Sequence, residues 1–290
     1  MNRLKPKKCL MPILSFGVGL AGLLACVPVS AQESGVYRFS PVNQYGIELT
    51  ASYWNPIVDY VSTKSGVKLQ LKIGRTSADT TAYVLANEVE FVFSNHLFSP
   101  DRDHLGWKVF GRRDTQPIRS QIVVLADSPI TRLEQLANQT MAFPGPEATV
   151  AYKFSYANLL NQKIPVQVVF AGNMDGAFAQ LASGKVKAVG THTQLSSGWS
   201  KREGKAVRAL WESEPLNDLA LMAAKHVAAK DLAAVSKAFL EMGRDPQGQK
   251  VLAGVSELVK LPPTTSFVPS TGADYTAYRN FYQTAPASLR

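Results

Sequence analysis

Between Ser120 and Tyr152 the chain reads SQIVVLADSPITRLEQLANQTMAFPGPEATVAY, and this order of apolar runs and turn residues decides the fold class. Gln121 to Ala126 is a short, uncharged, β-branched run, the pattern of a strand buried on both faces of a mainly parallel sheet. Asp127 ends it. The following DSPITRLEQL predicts a helix, with Ser128 as its cap, Pro129 in its first turn, and Ile130, Leu133 and Leu136 on one face. A second strand spans Thr140 to Phe143. Pro144 to Thr149 then turns the chain into another helix, whose free N–H groups and positive dipole end favour an anionic or acceptor-rich ligand. An ordinary strand-to-helix turn is the competing reading of the same residues.

The alternation extends in both directions. Toward the N-terminus, a strand over residues 36–40 ends at Ser40-Pro41, and a helix over 47–65 carries Tyr53, Trp54, Ile57, Val58, Tyr60 and Val61 at three- and four-residue spacings, a core-facing stripe. Gly66 stops it, and Val67, Leu69, Leu71 and Ile73 alternate as a strand. Gly74 to Ser77 opens a helix to about Asn87, and Glu90 to Phe93 is a strand ending at Ser94-Asn95-His96. Residues 100–117 are polar and turn-rich, with a short strand near Trp107, Val109 and Phe110. Toward the C-terminus the order repeats: a helix to Asn161, strand 166–170, helix 176–183, and strand 186–190 ending at Thr191-His192-Thr193. Strands at 207–211 and 219–223, helices at 229–243 and 246–253, and a last aromatic helix at 274–282, read as a packing strap, complete the chain.

In open α/β sheets, ligands bind beyond the carboxyl ends of the strands. Ser40, Ser77 and Ser94 offer hydroxyls at such places in the first half, and Thr149 and Thr191 in the second. His96 and His192 follow strand ends at corresponding positions in the two halves. Facing each other across a cleft they would donate to an oxyanion; the competing reading is two exposed loop residues.

The first 31 residues are set apart by composition. Arg3, Lys5, Lys7 and Lys8 precede an apolar run from Leu10 to Ala25, and Val29-Ser30-Ala31 is a small-residue cleavage signature: a secretory signal peptide. Leu23-Leu24-Ala25-Cys26 also resembles a lipobox, so the mature chain is expected to be soluble after cleavage at Ala31, and membrane-tethered only if Cys26 is lipidated. Cleavage at Ala31 lowers the formal charge from +9 to +5 and removes both cysteines, Cys9 and Cys26. Disulfides and thiol chemistry are then excluded. The remaining charge is dispersed, which argues against a nucleic-acid partner. The sequence holds no nucleophile elbow, P-loop, dinucleotide fingerprint, zinc-protease pair or CxxC pattern. His96, His104, His192 and His226 are far apart and lack acidic neighbours at ligand spacing. Neither catalysis nor a metal or other cofactor is expected.

Tyr53-Trp54-Asn55-Pro56, Glu90 to Phe93, Ile122 to Ile130, Leu133 to Leu136 and Met141 to Phe143 together resemble the phosphate/phosphite/phosphonate-binding proteins of ABC importers. The resemblance runs from Tyr37 to about Leu252. It implies a type II periplasmic-binding-protein fold: two α/β lobes, each a mainly parallel sheet flanked by helices, joined by two crossover strands. Residues 36–117 would begin lobe 1, 118–217 would form lobe 2, and 218–290 would return to lobe 1 with the terminal helix. The resemblance further implies a periplasmic, monomeric protein that captures a small oxyanion or polar organic solute for an ABC permease, or presents it to a membrane sensor. The family's Ser-Thr-Ser run at a helix start falls on Ala148-Thr149-Val150. Its aromatic contacts fall on Ser77 and Ser94, and its later acidic positions look replaced, with Met174 and Lys187 nearby. The smaller side chains imply a roomier pocket and a different or larger ligand, and the loss of acids disfavours an amino-phosphonate.

Overall fold

The computed structural model describes residues 35–290; the leader, with its cleavage signature, Cys9 and Cys26, lies outside the described residues. The first half runs β1 (Tyr37–Pro41), α1 (Ile47–Ser65), β2 (Leu69–Leu71), α2 (Asp79–Leu85), β3 (Phe91–Ser94), α3 (Pro100–Asp103) and β4 (Lys108–Arg113). The middle runs β5 (Ser120–Leu125), β6 (Thr140–Phe143), α4 (Ser155–Asn161), β7 (Gln167–Phe170), α5 (Met174–Ala182), β8 (Ala188–His192), α6 (Thr193–Glu203) and β9 (Val207–Glu212). The chain then returns through β10 (Ala220–Ala223), α7 (Ala229–Glu241), α8 (Pro246–Val259), β11 (Phe267–Pro269) and α9 (Thr276–Thr284).

Two sheets result, ordered β11-β4-β10-β3-β1-β2 and β7-β6-β8-β5-β9. β1 pairs parallel with β2 and β3, as β6 does with β7 and β8. The strand that has just arrived from the other sheet is inserted antiparallel in each: β10 between β3 and β4, β5 between β8 and β9. Leaving β11 aside, the two lobes therefore share one strand order. The buried apolar run at Gln121 to Ala126 is a central strand, as its composition predicts, but both its neighbours are antiparallel to it. Residues 114–119 and 213–219 carry the two crossings, and they pair with each other where Ile118 and Leu216 exchange N–H···O bonds of 2.8 and 2.7 Å. Two adjacent crossings of this kind are where a hinge between two lobes would lie.

The apolar stripe on α1 explains its place. Trp54 lies within 5.0 Å of the Phe39 and Phe93 rings, centroid to centroid, and Ile57 and Val61 are fully buried. Gly66, at φ +68°, supplies the left-handed residue that stops the helix.

Three local readings differ from the structure. The helix expected from Ser128 is absent; only a short 3₁₀ turn, Leu133–Leu136, forms. Arg208 accounts for this, because its guanidinium donates to the carbonyls of Ala126, Ser128 and Ile130 at 2.7 to 2.8 Å, holding that segment in a non-helical turn. The helix after Pro144 opens as a π-helical turn, Thr149–Phe154, before α4. α6 and β11 carry too little apolar periodicity to be read from sequence: TQLSSGWSKRE buries only Leu195, Ser196, Gly198 and Trp199.

α9 packs on both lobes. Tyr278 lies against Phe98 in lobe 1, and Phe281 stacks on Phe154 in lobe 2 with ring centroids 4.2 Å apart.

Candidate functional site

The carboxyl ends of β1 and β3 in lobe 1 face the turn after β6 and the end of β8 in lobe 2. Asn43, Gln44, Ser77, His96, Thr149 and His192 line the pocket between them, all at most 8% exposed. Val42, Met174, Leu195 and Leu219 fill much of the remaining wall. Space for the centre of a water-sized sphere is only about 30 Å³. The pocket is thus smaller than the short side chains at Ser77 and Ser94 imply, because these apolar residues occupy the room.

The lobes touch directly around this pocket. Ser77 N–H donates to Gly172 O at 2.8 Å, Gly46 N–H donates to Asp175 Oδ2 at 2.9 Å, and Arg102 pairs with Glu147. Burial opposes charge on Glu147, but the bond and charge of Arg102 prevail and hold its carboxyl below the usual range.

Each functional side chain is placed by a local device. Asp79 accepts from the N–H groups of Arg75 and Thr76, folding residues 74–79 into the turn that carries Ser77. A Cβ on Gly74 would lie 2.2 Å from Asp79 Cβ, so this turn needs glycine. The π-helical turn seats against β8 through Gly190, where a Cβ would meet Ala151 O at 2.3 Å. Ser120 Oγ secures it by donating to Val150 O at 2.7 Å.

Of the residues singled out from sequence, Ser77, His96, Thr149, Val150 and His192 line the pocket. Ser40, Ser94 and Thr191 are buried but are not among its lining residues. Ser40 shares a 3.1 Å hydrogen bond with Thr80, and Ser94 Oγ accepts from His96 N–H at 3.0 Å. Thr191 Oγ1 is buried without a partner. Asn43 and Gln44 were missed, although they follow β1 by two and three residues, at the same strand end that drew attention to Ser40.

The histidines do face one pocket, and both are buried instead of lying on exposed loops. Burial lowers His96 to about 3 and His192 to about 4, so both imidazoles are neutral at neutral pH. Among the described residues, no Asp, Glu, Lys or Arg lines the pocket. Its polar character comes from neutral groups and from the N–H groups at Thr149, where the helix dipole ends. Three lining atoms are buried without a hydrogen-bond partner: Asn43 Oδ1, Ser77 Oγ and His192 Nδ1. Asn43 gives its amide nitrogen to Gly74 O, so the orphaned atom is an acceptor. Among the described residues, no group of three His, Cys, Asp or Glu is placed to hold a metal ion.

This architecture, two lobes of matching strand order with neutral hydrogen-bonding groups converging between them, is that of a type II periplasmic binding protein. Residues 39–275 match the family of ABC transporter, phosphonate, periplasmic substrate-binding proteins, and the chain belongs to that family. Its members are substrate-binding components of a transporter, not enzymes, and membership implies a small-molecule ligand, a membrane permease as partner and a periplasmic location. No protein of curated function matches the sequence. Among solved structures, a binding protein component of an ABC phosphonate transporter from Pseudomonas aeruginosa superposes with a TM-score of 0.71 at 14% identity, over 89% of this chain and 90% of that one. PhnD1 from Prochlorococcus marinus, in complex with methylphosphonate, gives 0.70 at 13% identity, over 86% and 96%. An ancestral arginine-binding protein gives 0.56 at 18%, over 76% and 97%.

Proposed function

We propose that this protein captures a small phosphonate-type oxyanion, with one oxygen still protonated, between its lobes and delivers it to the permease of an ABC importer. The observation that carries this reading is the set of buried, partnerless atoms on the pocket wall. His192 and Ser77 offer donors to unprotonated oxygens, the N–H groups at Thr149 and Val150 add backbone donors, and Asn43 Oδ1 awaits a hydroxyl or N–H. A singly charged ligand bearing one hydroxyl matches that set. A dianion does not, because no cationic side chain lines the pocket to offset its desolvation. His96 completes the wall on the lobe 1 side, with its Nδ1 held 3.1 Å from Thr81 Oγ1.

Lobe 1 would comprise residues 36–117 and 218–290, and lobe 2 residues 118–217. Cleavage after Ala31 would release the mature chain as a soluble monomer. A thermal-shift panel of the mature protein tests the ligand class, because a ligand that binds only the folded state raises the midpoint, by about 2.7 kcal/mol of stability at a hundredfold excess over Kd. Methylphosphonate and phosphite are expected to raise it. 2-Aminoethylphosphonate is expected not to, because its ammonium group finds no carboxylate in the pocket. A midpoint raised only by solutes without phosphorus would overturn the assignment.

A further inference from the structure

A chain of hydrogen bonds with fixed directions runs from the hinge to the pocket. It begins at Arg113, the last residue of β4, and Asp218, which precedes β10. Arg113 Nε donates to Asp218 Oδ2 at 2.8 Å, with both side chains 1% exposed. Asp218 Oδ1 in turn accepts from Leu219 N–H at 2.8 Å, and the guanidinium lies over the Phe93 ring, 4.8 Å from its centre. The ion pair therefore has little freedom to turn.

Arg113 Nη2 donates to Gln44 Oε1 at 3.1 Å and to Gln194 Oε1 at 3.1 Å. A guanidinium has no acceptor, so the Gln44 amide cannot be reversed. Its nitrogen must then face His192 Nε2, 3.3 Å away. An amide nitrogen only donates, so His192 Nε2 must accept, and the single proton of the neutral ring is left on Nδ1. That atom is buried without a hydrogen-bond partner, on a residue that lines the pocket.

We propose that Gln44 is a positioning residue that locks His192 in its Nδ1–H tautomer, so that lobe 2 presents a donor to the ligand, and that the Arg113–Asp218 hinge pair sets the lock. This rests on the reading of His192 as a ligand contact. Gln44 belongs to lobe 1 and His192 to lobe 2, so the lock is assembled only when the lobes meet. A donor facing an oxyanion and closure of the hinge become one event. An unlocked ring would also populate the Nε2–H form, which turns a lone pair at Nδ1 toward the ligand and repels an acceptor.

The test is the tautomer itself. Wild-type protein labelled with ¹⁵N-histidine, with His192 assigned by comparison with a His192→Gln variant, is examined by long-range ¹H–¹⁵N correlation with methylphosphonate present. The lock requires a protonated Nδ1 and an unprotonated Nε2; an Nε2–H ring overturns it. Gln44→Glu places an acceptor opposite Nε2 and is expected to move the proton there, weakening methylphosphonate binding by about tenfold or more. Gln44→Met, which can neither donate nor accept, is expected to give a mixture of tautomers. A merely structural Gln44 would leave the ring at Nδ1–H in both variants, and that result overturns the proposal. An Nε2–H ring in the wild-type spectrum overturns the proposal even where a variant does not fold. If the ring is Nδ1–H and changes with Gln44 while methylphosphonate does not bind, the lock stands and the ligand assignment falls.

Discussion

Ser77 in lobe 1 donates its backbone N–H to the carbonyl oxygen of Gly172 in lobe 2 over 2.8 Å, and its hydroxyl faces Gly145 so closely that a Cβ there would lie 2.6 Å away. The two lobes thus meet backbone to backbone beside the pocket. Binding and closure share the same few residues.

Gly145→Ala follows directly from this. The added methyl has no room against Ser77 Oγ, so the lobes must part or the serine must move. Methylphosphonate affinity is expected to fall by about tenfold or more, with little change in the thermal midpoint of the protein alone, because Gly145 is not in the left-handed region and its Cβ meets only the facing lobe. Calorimetric titration and small-angle scattering at saturating ligand measure the two effects. Unchanged affinity and unchanged compaction would show that closure does not need this contact.

The buried histidines make stability depend on pH. Both have folded-state values depressed below the ordinary 6.5, to about 3 for His96 and about 4 for His192. Unfolding therefore takes up protons once the pH drops below 6.5, and the stability held above that value is lost as pH falls through the folded values. A His96→Gln, His192→Gln double variant should lose part of the wild-type slope between pH 6.5 and 4. Urea unfolding across that range reads it, and parallel curves for the two proteins would contradict the burial argument.

Arg113 and Asp218 form a pair whose partners cannot be lost singly without leaving a buried charge. Arg113→Met and Asp218→Leu are each expected to cost about 3–5 kcal/mol, and the double variant carrying both less than the sum. Additive losses in urea unfolding would mean that the two side chains act independently.

Phe154 and Phe281, stacked at 4.2 Å, tie α9 to lobe 2. Phe154→Ala should destabilise the protein by about 1–3 kcal/mol, since both rings are only partly buried. Phe281→Ala should do the same, and the two losses should not add. Full additivity would assign the stability to other contacts of each ring.

Much of the architecture was legible because strong periodicity left little choice: the α1 stripe of Tyr53, Trp54, Ile57 and Val61, and the strand runs at 140–143 and 207–211. Apart from α6 and β11, whose apolar periodicity is weak, what escaped depended on distant partners. Ser128 and Pro129 signal a helix, but Arg208, about eighty residues away, claims the carbonyls that such a helix would use. The site was legible as a place before it was legible as chemistry. Strand ends pointed to Ser77, His96, Thr149 and His192, yet they equally pointed to Ser40 and Ser94, whose hydroxyls are engaged within lobe 1. Gln44 gained its role only through Arg113, and no local pattern joins residues 44, 113, 192 and 218.

The most direct measurement of the central claim is calorimetric titration of the mature protein with methylphosphonate from about pH 6 to about pH 8.5, a range in which the ligand loses its second proton while the two pocket histidines stay neutral. The account predicts one molecule bound per chain, with affinity falling as the dianion replaces the singly charged form, and a weaker titration for Asn43→Leu, which removes the acceptor for the ligand's hydroxyl. Affinity that rises with pH, or no heat at any pH, would contradict it.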